Sequence, residues 1–257
     1  GAVLLVGFPL ALLLVQVGGR FERSLGWAGF VLIPLLLVLT GSRGAFLGLV
    51  AAALALLFLA PGISGFRKGL VLALAVGATA FFAPATYWKQ IGTILNPTSD
   101  YNLTDDSGRI AIWSRGLGYV AEHPFLGVGP DNFIRAGWVL SDVARGLAGR
   151  GLRDLAPHNS FIQVWAELGT AGLLAWLSLI VGGCWSCLSL RKTFRRPGFA
   201  SHRQGRFLLL VASYLPVAFI GFSVSAFFTS HAYTAMFYVL AAYLAGFLMV
   251  AKRVGEE

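Results

Sequence analysis

The chain has 257 residues, of which 57% are hydrophobic and only 12% charged. A soluble domain usually carries about 25% charged residues, so this composition excludes an ordinary soluble globular domain. The formal charge of +9 invites a nucleic-acid reading, but the excess lies in short stretches between apolar blocks and excludes a single basic binding face.

The apolar blocks are 1–17, 25–40, 44–60, 69–88, 171–190, 207–227 and 232–251. Each approaches the roughly 20 residues that cross a hydrocarbon core about 30 Å thick. Backbone in lipid must satisfy its own hydrogen bonds, which predicts helices. The expectation is an all-α polytopic transmembrane helix bundle of seven spans, one membrane domain over 1–257. Residues 1–17 lack the basic start and small-residue cleavage site of a signal peptide. Because the chain opens at Gly1 inside an apolar run, it reads as the C-terminal part of a longer protein.

Loops 18–24, 61–68 and 191–206 and the tail 252–257 hold twelve basic residues against three acidic ones, which accounts for the whole +9. Segment 89–158 carries seven of each sign, and Arg43 and Glu167 cancel. Positive charge concentrates on cytoplasmic loops. The pattern therefore puts Arg43, segment 89–158 and the turn near His231 on the outer side of a bacterial inner membrane.

In chain order, Thr40-Gly41-Ser42-Arg43-Gly44 reads as a tight turn between the second and third spans. Gly41, Gly44, Gly48 and Ala52 then give the third span a smooth face that another helix can approach closely. Segment 89–158 is 70 residues, too long for a bare connector. It has turn signals at Asn96-Pro97 and Asp105-Asp106-Ser107-Gly108. Ile110, Trp113, Leu117 and Val120 then form a helical stripe, with Ser107 as cap and Arg109 in the first turn. That helix is expected to end near His123-Pro124, before an apolar, turn-rich stretch. Residues 141–157 read as irregular, and a helix restarts near Asn159 or Ser160. From Ser160 to Leu190 a helix would run about 46 Å, more than one span needs. Residues 160–168 are therefore expected outside or at the interface, with Gly169-Thr170-Ala171-Gly172 marking where the chain enters the membrane. Cys184 and Cys187 lie inside a span. One pair cannot complete a four-ligand zinc site, and membrane burial argues against a redox motif, so they read as packing residues.

Arg43, the only charge in its turn, is either a snorkelling anchor or a site residue. Arg109 alone would read as a solvated residue, and it opposes the helix dipole. His158 sits just before the helix that returns to the membrane and is either a loop or capping histidine or part of a site. His231 faces the same side, and Glu167 is an interfacial carboxylate or a site acid. Gly127-Val128-Gly129 is not a dinucleotide fingerprint, since no strand precedes it and the third glycine is missing. There is no G-x-S-x-G, H-E-x-x-H or Walker motif. Residue chemistry alone gives an outer-face site with arginines and a histidine.

Four stretches carry a resemblance. Thr40-Gly41-Ser42-Arg43-Gly44-Ala45 resembles the short arginine motif of the O-antigen ligase/polymerase family. Ser107-Gly108-Arg109-Ile110-Ala111-Ile112-Trp113 resembles its second. His123-Pro124-Phe125-Leu126-Gly127-Val128-Gly129-Pro130-Asp131-Asn132-Phe133 resembles its loop signature. His158-Asn159-Ser160-Phe161-Ile162-Gln163-Val164-Trp165-Ala166-Glu167-Leu168-Gly169 is similar to its histidine motif. The resemblance covers about residues 30–190.

It implies a membrane glycosyltransferase of the GT-C type. The long extracytoplasmic loop 89–158 has no acidic residues at a convincing ligand spacing and the arginines already supply positive charge, so the expectation is a metal-independent enzyme with no cofactor. The donor would be a glycan on a polyprenyl diphosphate, transferred on the periplasmic face to a hydroxyl of a glycan or lipid A core. Catalysis would fall to His158, Arg43 and Arg109. Arg43, Arg109, Trp113, Asn159 and His231 would line the substrate site. Arginine forks suit diphosphate oxygens, and a neutral histidine suits proton removal from the acceptor. Ligase, polymerase and protein O-oligosaccharyltransferase stay open. A small-anion transporter using Arg43 and Arg109 for selectivity is the alternative, but the spans show no midplane polar residues or paired broken helices. A noncatalytic membrane scaffold is a third. Membrane lipid is an expected partner; nucleic acid is not.

Overall fold

The structure is a computed structural model, and it describes residues 1–66, 68–70, 73, 83–92, 108–140, 156–200 and 203–256. Regular structure among the described residues is helical: α1 Ala2–Val17, α2 Arg20–Leu39, α3 Arg43–Leu59, α4 Ala85–Gly92, α5 Arg109–Glu122, α6 Phe133–Leu140, α7 Ser160–Phe194, α8 Pro197–Ala200, α9 Arg203–Ala226 and α10 Ala235–Glu256. Within this set Arg20–Leu39, Ser160–Phe194, Gln204–Ala226 and Ala235–Val254 are long and apolar enough to cross a membrane. The apolar helices α1 and α3 have 16 and 17 residues. Most of the expected span 69–88, the turn signal at Asn96-Pro97, the Ser107 cap and most of the irregular stretch 141–157 lie outside the described residues.

The chain groups into two compact units. The first comprises Gly1–Trp88, Leu179–Ser225 and Thr234–Glu257. Its first two helices are joined by Gly18 and Gly19 alone, so the loop expected over 18–24 shrinks to two residues and Arg20 and Arg23 lie on the opening turns of α2. The glycine pair makes so short a link possible. A Cβ at Gly18 would fall 2.6 Å from the Leu14 carbonyl, a contact that side chains do not tolerate. The smooth face of α3 is used as the sequence predicts. Gly44, Ala45, Gly48 and Ala52 are buried, and a Cβ on Gly48 would come within 2.7 Å of the Gly221 carbonyl on α9. At the other end of α3 the last carbonyls, which lack partners inside the helix, are met by cations. Lys68 Nζ donates to Leu57 O at 2.8 Å, and Arg191 Nη2 donates to Leu59 O at 2.9 Å. Part of the basic excess therefore finishes a helix.

The second unit comprises Lys89–Ser178 and Ala226–Tyr233. Its core joins Ile112, Tyr119 and Val120 of α5 to Phe133, Ala136 and Ala166. Helix α5 starts and stops where the sequence puts it, but its buried face is rotated from the expected stripe. Ile110 and Leu117 are 54% and 46% exposed, whereas Ile112, Gly116, Tyr119 and Val120 are buried. The cause is Gly116. A Cβ there would lie 2.7 Å from Ile162 Cγ2 and 2.9 Å from Phe133 Cε2, so the helix presents its glycine where the approach is closest. An apolar periodicity gives glycine no weight and misses such a contact.

Candidate functional site

The framework of the site is a break in α7. Gly169 has φ 66° and ψ −171°, a combination open essentially to glycine. A Cβ there would meet Phe125 O at 2.2 Å. The break falls where the sequence places the boundary of the outer part of the helix. It deprives Ala166 O and Glu167 O of their next-turn partners. The loop 123–133 supplies replacements: Val128 N and Gly129 N donate to these carbonyls at 2.9 Å each, and Thr170 N donates back to Pro124 O at 2.8 Å. Such close docking needs bare backbone. Gly127 and Gly129 have φ 66° and 96°, and a Cβ on Gly127 would lie 2.4 Å from the Glu167 carbonyl carbon.

The Glu167 side chain completes the joint. It is 1% exposed, and its Oε2 and Oε1 accept from Asp131 N at 3.2 Å and Phe133 N at 3.0 Å. Glu167 thus caps the start of α6 with a carboxylate, satisfying amides that the helix leaves open. Glu167, which the sequence reads as an interfacial carboxylate or a site acid, is here the buried acceptor that braces loop 123–133 against α7.

Above this joint stands the head of α7. Asn159 is the cap: its Oδ1 accepts from Phe161 N at 2.9 Å and Ile162 N at 3.2 Å. The residue is fully buried, and its Nδ2 has no hydrogen-bond partner among the described residues. His158, immediately before it, is exposed and holds φ 45°, in the left-handed region. That conformation is uncommon for a residue with a Cβ and persists only where its surroundings enforce it. Its backbone N donates to Ser230 Oγ at 3.0 Å. The preceding carbonyl, Pro157 O, accepts from Trp113 Nε1 at 2.8 Å. The Trp113 ring meets Phe227 edge-on at 5.7 Å, and Phe227 also lies 6.0 Å from Phe161. Ser160 Oγ donates to Thr229 O at 2.6 Å and accepts from His231 N at 2.8 Å. These bonds bring His158 and His231 into one small constellation with Trp113 and Asn159.

Arg109 is the first residue of α5, half-buried, beyond a Gly108 that gives no side-chain cap. Partial desolvation by the surrounding protein lowers the His158 pKa, and the Arg109 charge lowers it further. Burial also pushes His231 below the usual histidine value. Both effects favour neutral imidazole.

Arg43 belongs to the first unit and opens α3. Its turn is built locally. Gly41 takes φ 60°, Ser42 Oγ accepts from Ala45 N at 3.2 Å, and Thr40 Oγ1 donates to Leu37 O at 2.7 Å. Of the six residues singled out in the sequence, five therefore share the second unit and Arg43 lies in the first. Among the described residues no group of three His, Cys, Asp or Glu side chains is arranged to hold a metal ion. The partners of His158 that sequence reasoning missed are Ser230 and, through the turn, Ser160 and Thr229. The bonded pairs, His158 with Ser230 and Ser160 with Thr229, are 72 and 69 positions apart, and no spacing rule links them.

The family described as O-antigen ligase matches residues 28–177. A curated relative from Pseudomonas aeruginosa, an O-antigen ligase, is 34% identical over 144 residues. The matched part is 56% of this chain and 30% of that relative. The family match at 28–177 encloses all four motif stretches.

Proposed function

Because the chain belongs to the O-antigen ligase family, we propose that it is the part of a membrane glycosyltransferase that holds the leaving diphosphate and activates the acceptor. The donor is a glycan on a polyprenyl diphosphate, and the acceptor is a hydroxyl of a glycan or lipid A core on the periplasmic face. One observation carries the reading: a solvent-facing histidine, held in the left-handed region and biased toward its neutral form, lies within the electrostatic reach of an arginine. A base must be neutral to take a proton, and an arginine must stay charged to hold phosphate oxygens. In this reading the His158 ring accepts the acceptor hydroxyl proton as its oxygen attacks the sugar carbon. Arg109 and Arg43 stabilise the charge that gathers on the departing diphosphate. The arginines supply the positive charge that a divalent metal provides elsewhere, and transfer is expected to survive chelation.

The test uses the full-length protein in lipid nanodiscs, with lipid-linked glycan donor and acceptor, and measures glycan transfer together with released carrier diphosphate. Arg43→Lys and Arg109→Lys keep the charge but lose the planar fork, and each should lose most of the transfer while expressing and inserting normally. Near-normal transfer by both variants would refute diphosphate clamping. Activity abolished by a chelator and restored by Mg²⁺ would refute metal independence.

A further inference from the structure

We propose that Ser230 is a positioning residue for His158, half of a crossed serine clamp that locks the turn 229–231 against the head of α7. The inference rests on the reading of His158 as the acceptor base. The clamp is reciprocal. Ser230, next to His231, holds the backbone N–H of His158 at 3.0 Å, and Ser160, two residues from His158, holds the backbone N–H of His231 at 2.8 Å. Each histidine is thus anchored by a serine of the other segment. Ser160 also donates to Thr229 O, so its hydroxyl serves as donor and acceptor at once.

The physical consequence follows from which atom is held. The torsion φ turns about the N–Cα bond, and the direction of Cβ from the chain depends on it. At φ 45° the His158 ring leaves the backbone in a direction that an ordinary negative φ does not give. An L-residue in the left-handed region is strained, so without an anchor the residue drifts back. Asn159 fixes the chain on one side through the helix cap, and Trp113 fixes Pro157 O on the other. Ser230 fixes the N–H between them. Its side chain acts through backbone alone and leaves the imidazole free to work. A displacement of about 1 Å at a reacting group can cost about 10²-fold in rate, which sets the scale of the effect.

The experiment compares full-length wild type, Ser230→Ala, Ser230→Thr, His158→Ala and the double variant Ser230→Ala/His158→Ala in nanodiscs, with lipid-linked glycan as donor. Ser230→Ala should lower kcat about 10- to 100-fold and leave the donor KM within about twofold. Its low-pH limb should move up toward the ordinary histidine value of about 6.5, because the ring leaves its packed setting and Arg109. Ser230→Thr keeps the hydroxyl and should restore the wild-type rate and limb. In the His158→Ala background, Ser230→Ala should cause no further loss, since its effect passes through the ring. Near-normal Ser230→Ala activity beside a crippled His158→Ala would overturn the clamp and leave the base reading standing. So would an equal loss in both backgrounds, or a depressed rate with an unmoved limb. A His158→Ala protein of normal activity would instead remove the base reading itself.

Discussion

Two helix starts in this chain look alike and are built differently. Helix α3 begins at Arg43 after a Ser42 cap, and α7 begins at Ser160 after an Asn159 cap with His158 before it. Beside Arg43 the bonds from Thr40 to Leu37 and from Ser42 to Ala45 each reach three residues. Around His158 they reach 44 positions back to Trp113 and 72 forward to Ser230. The arginine turn is a local motif that would form in many settings. The histidine turn exists only when the whole second unit has folded around it. This difference matches the two tasks. A guanidinium on a long stem can bring its planar fork to phosphate oxygens from a turn that is built locally. A base must aim one ring nitrogen at one proton.

The largest expected effect strikes the framework that the histidine turn needs and the arginine turn does not. Gly169→Ala puts a Cβ against Phe125 O at 2.2 Å and forces alanine into a glycine-only conformation. The conformational strain alone is worth about 1–3 kcal/mol, before the overlap is relieved. The second unit should lose its protection from limited proteolysis, while α1–α3 keep theirs. A protein as resistant as wild type throughout would show that the break is not what holds the loop.

A smaller effect belongs to the carboxylate under the same turn. Glu167→Ala strands two amides, those of Asp131 and Phe133, at about 1–3 kcal/mol each. Glu167→Gln keeps an acceptor oxygen and should cost less. Both variants should melt earlier, and the Gln variant should keep its turnover per folded molecule. An unchanged melting temperature with turnover lost would return Glu167 to the role of site acid.

The smallest effect is expected at the local turn. Ser42→Ala removes one cap bond, worth about 1 kcal/mol, and should leave transfer within about twofold. If it cut kcat as deeply as Ser230→Ala, the contrast between the two helix starts would collapse.

The same contrast explains what the sequence reveals. The turn 40–44, the glycine face of α3, the end of α5 near His123 and the boundary at Gly169 all rest on neighbours within a few residues or on backbone demands that glycine announces. Each is legible. The buried face of α5 is not legible, because Gly116, the residue that decides it, carries no hydrophobic signal. The bracing bonds of Glu167 are not legible, because its partners are amides 34 and 36 positions away. The loop 18–24 is shorter than its basic residues suggest, because the glycine pair before them is where the chain turns. For the site, residue types and motif order gathered Arg109, Trp113, His158, Asn159 and His231, and the structure places all five in one unit. The serines that brace them are invisible to any periodicity, since their bonds form only across the folded unit.

The central claim is that His158 works as a neutral base, and the pH dependence of single-turnover transfer tests it most directly. The packed surroundings and Arg109 both lower the His158 pKa, so its neutral form persists below the ordinary value of about 6.5 and protonates only as the pH falls further. The wild-type rate should therefore hold through neutral pH and fall along a limb centred below about 6.5. In His158→Ala the rate should drop about 10²–10⁴-fold, donor affinity should remain, and the limb should vanish. A well-folded His158→Ala protein that transfers glycan at a nearly normal rate, or keeps the same limb, would contradict the account.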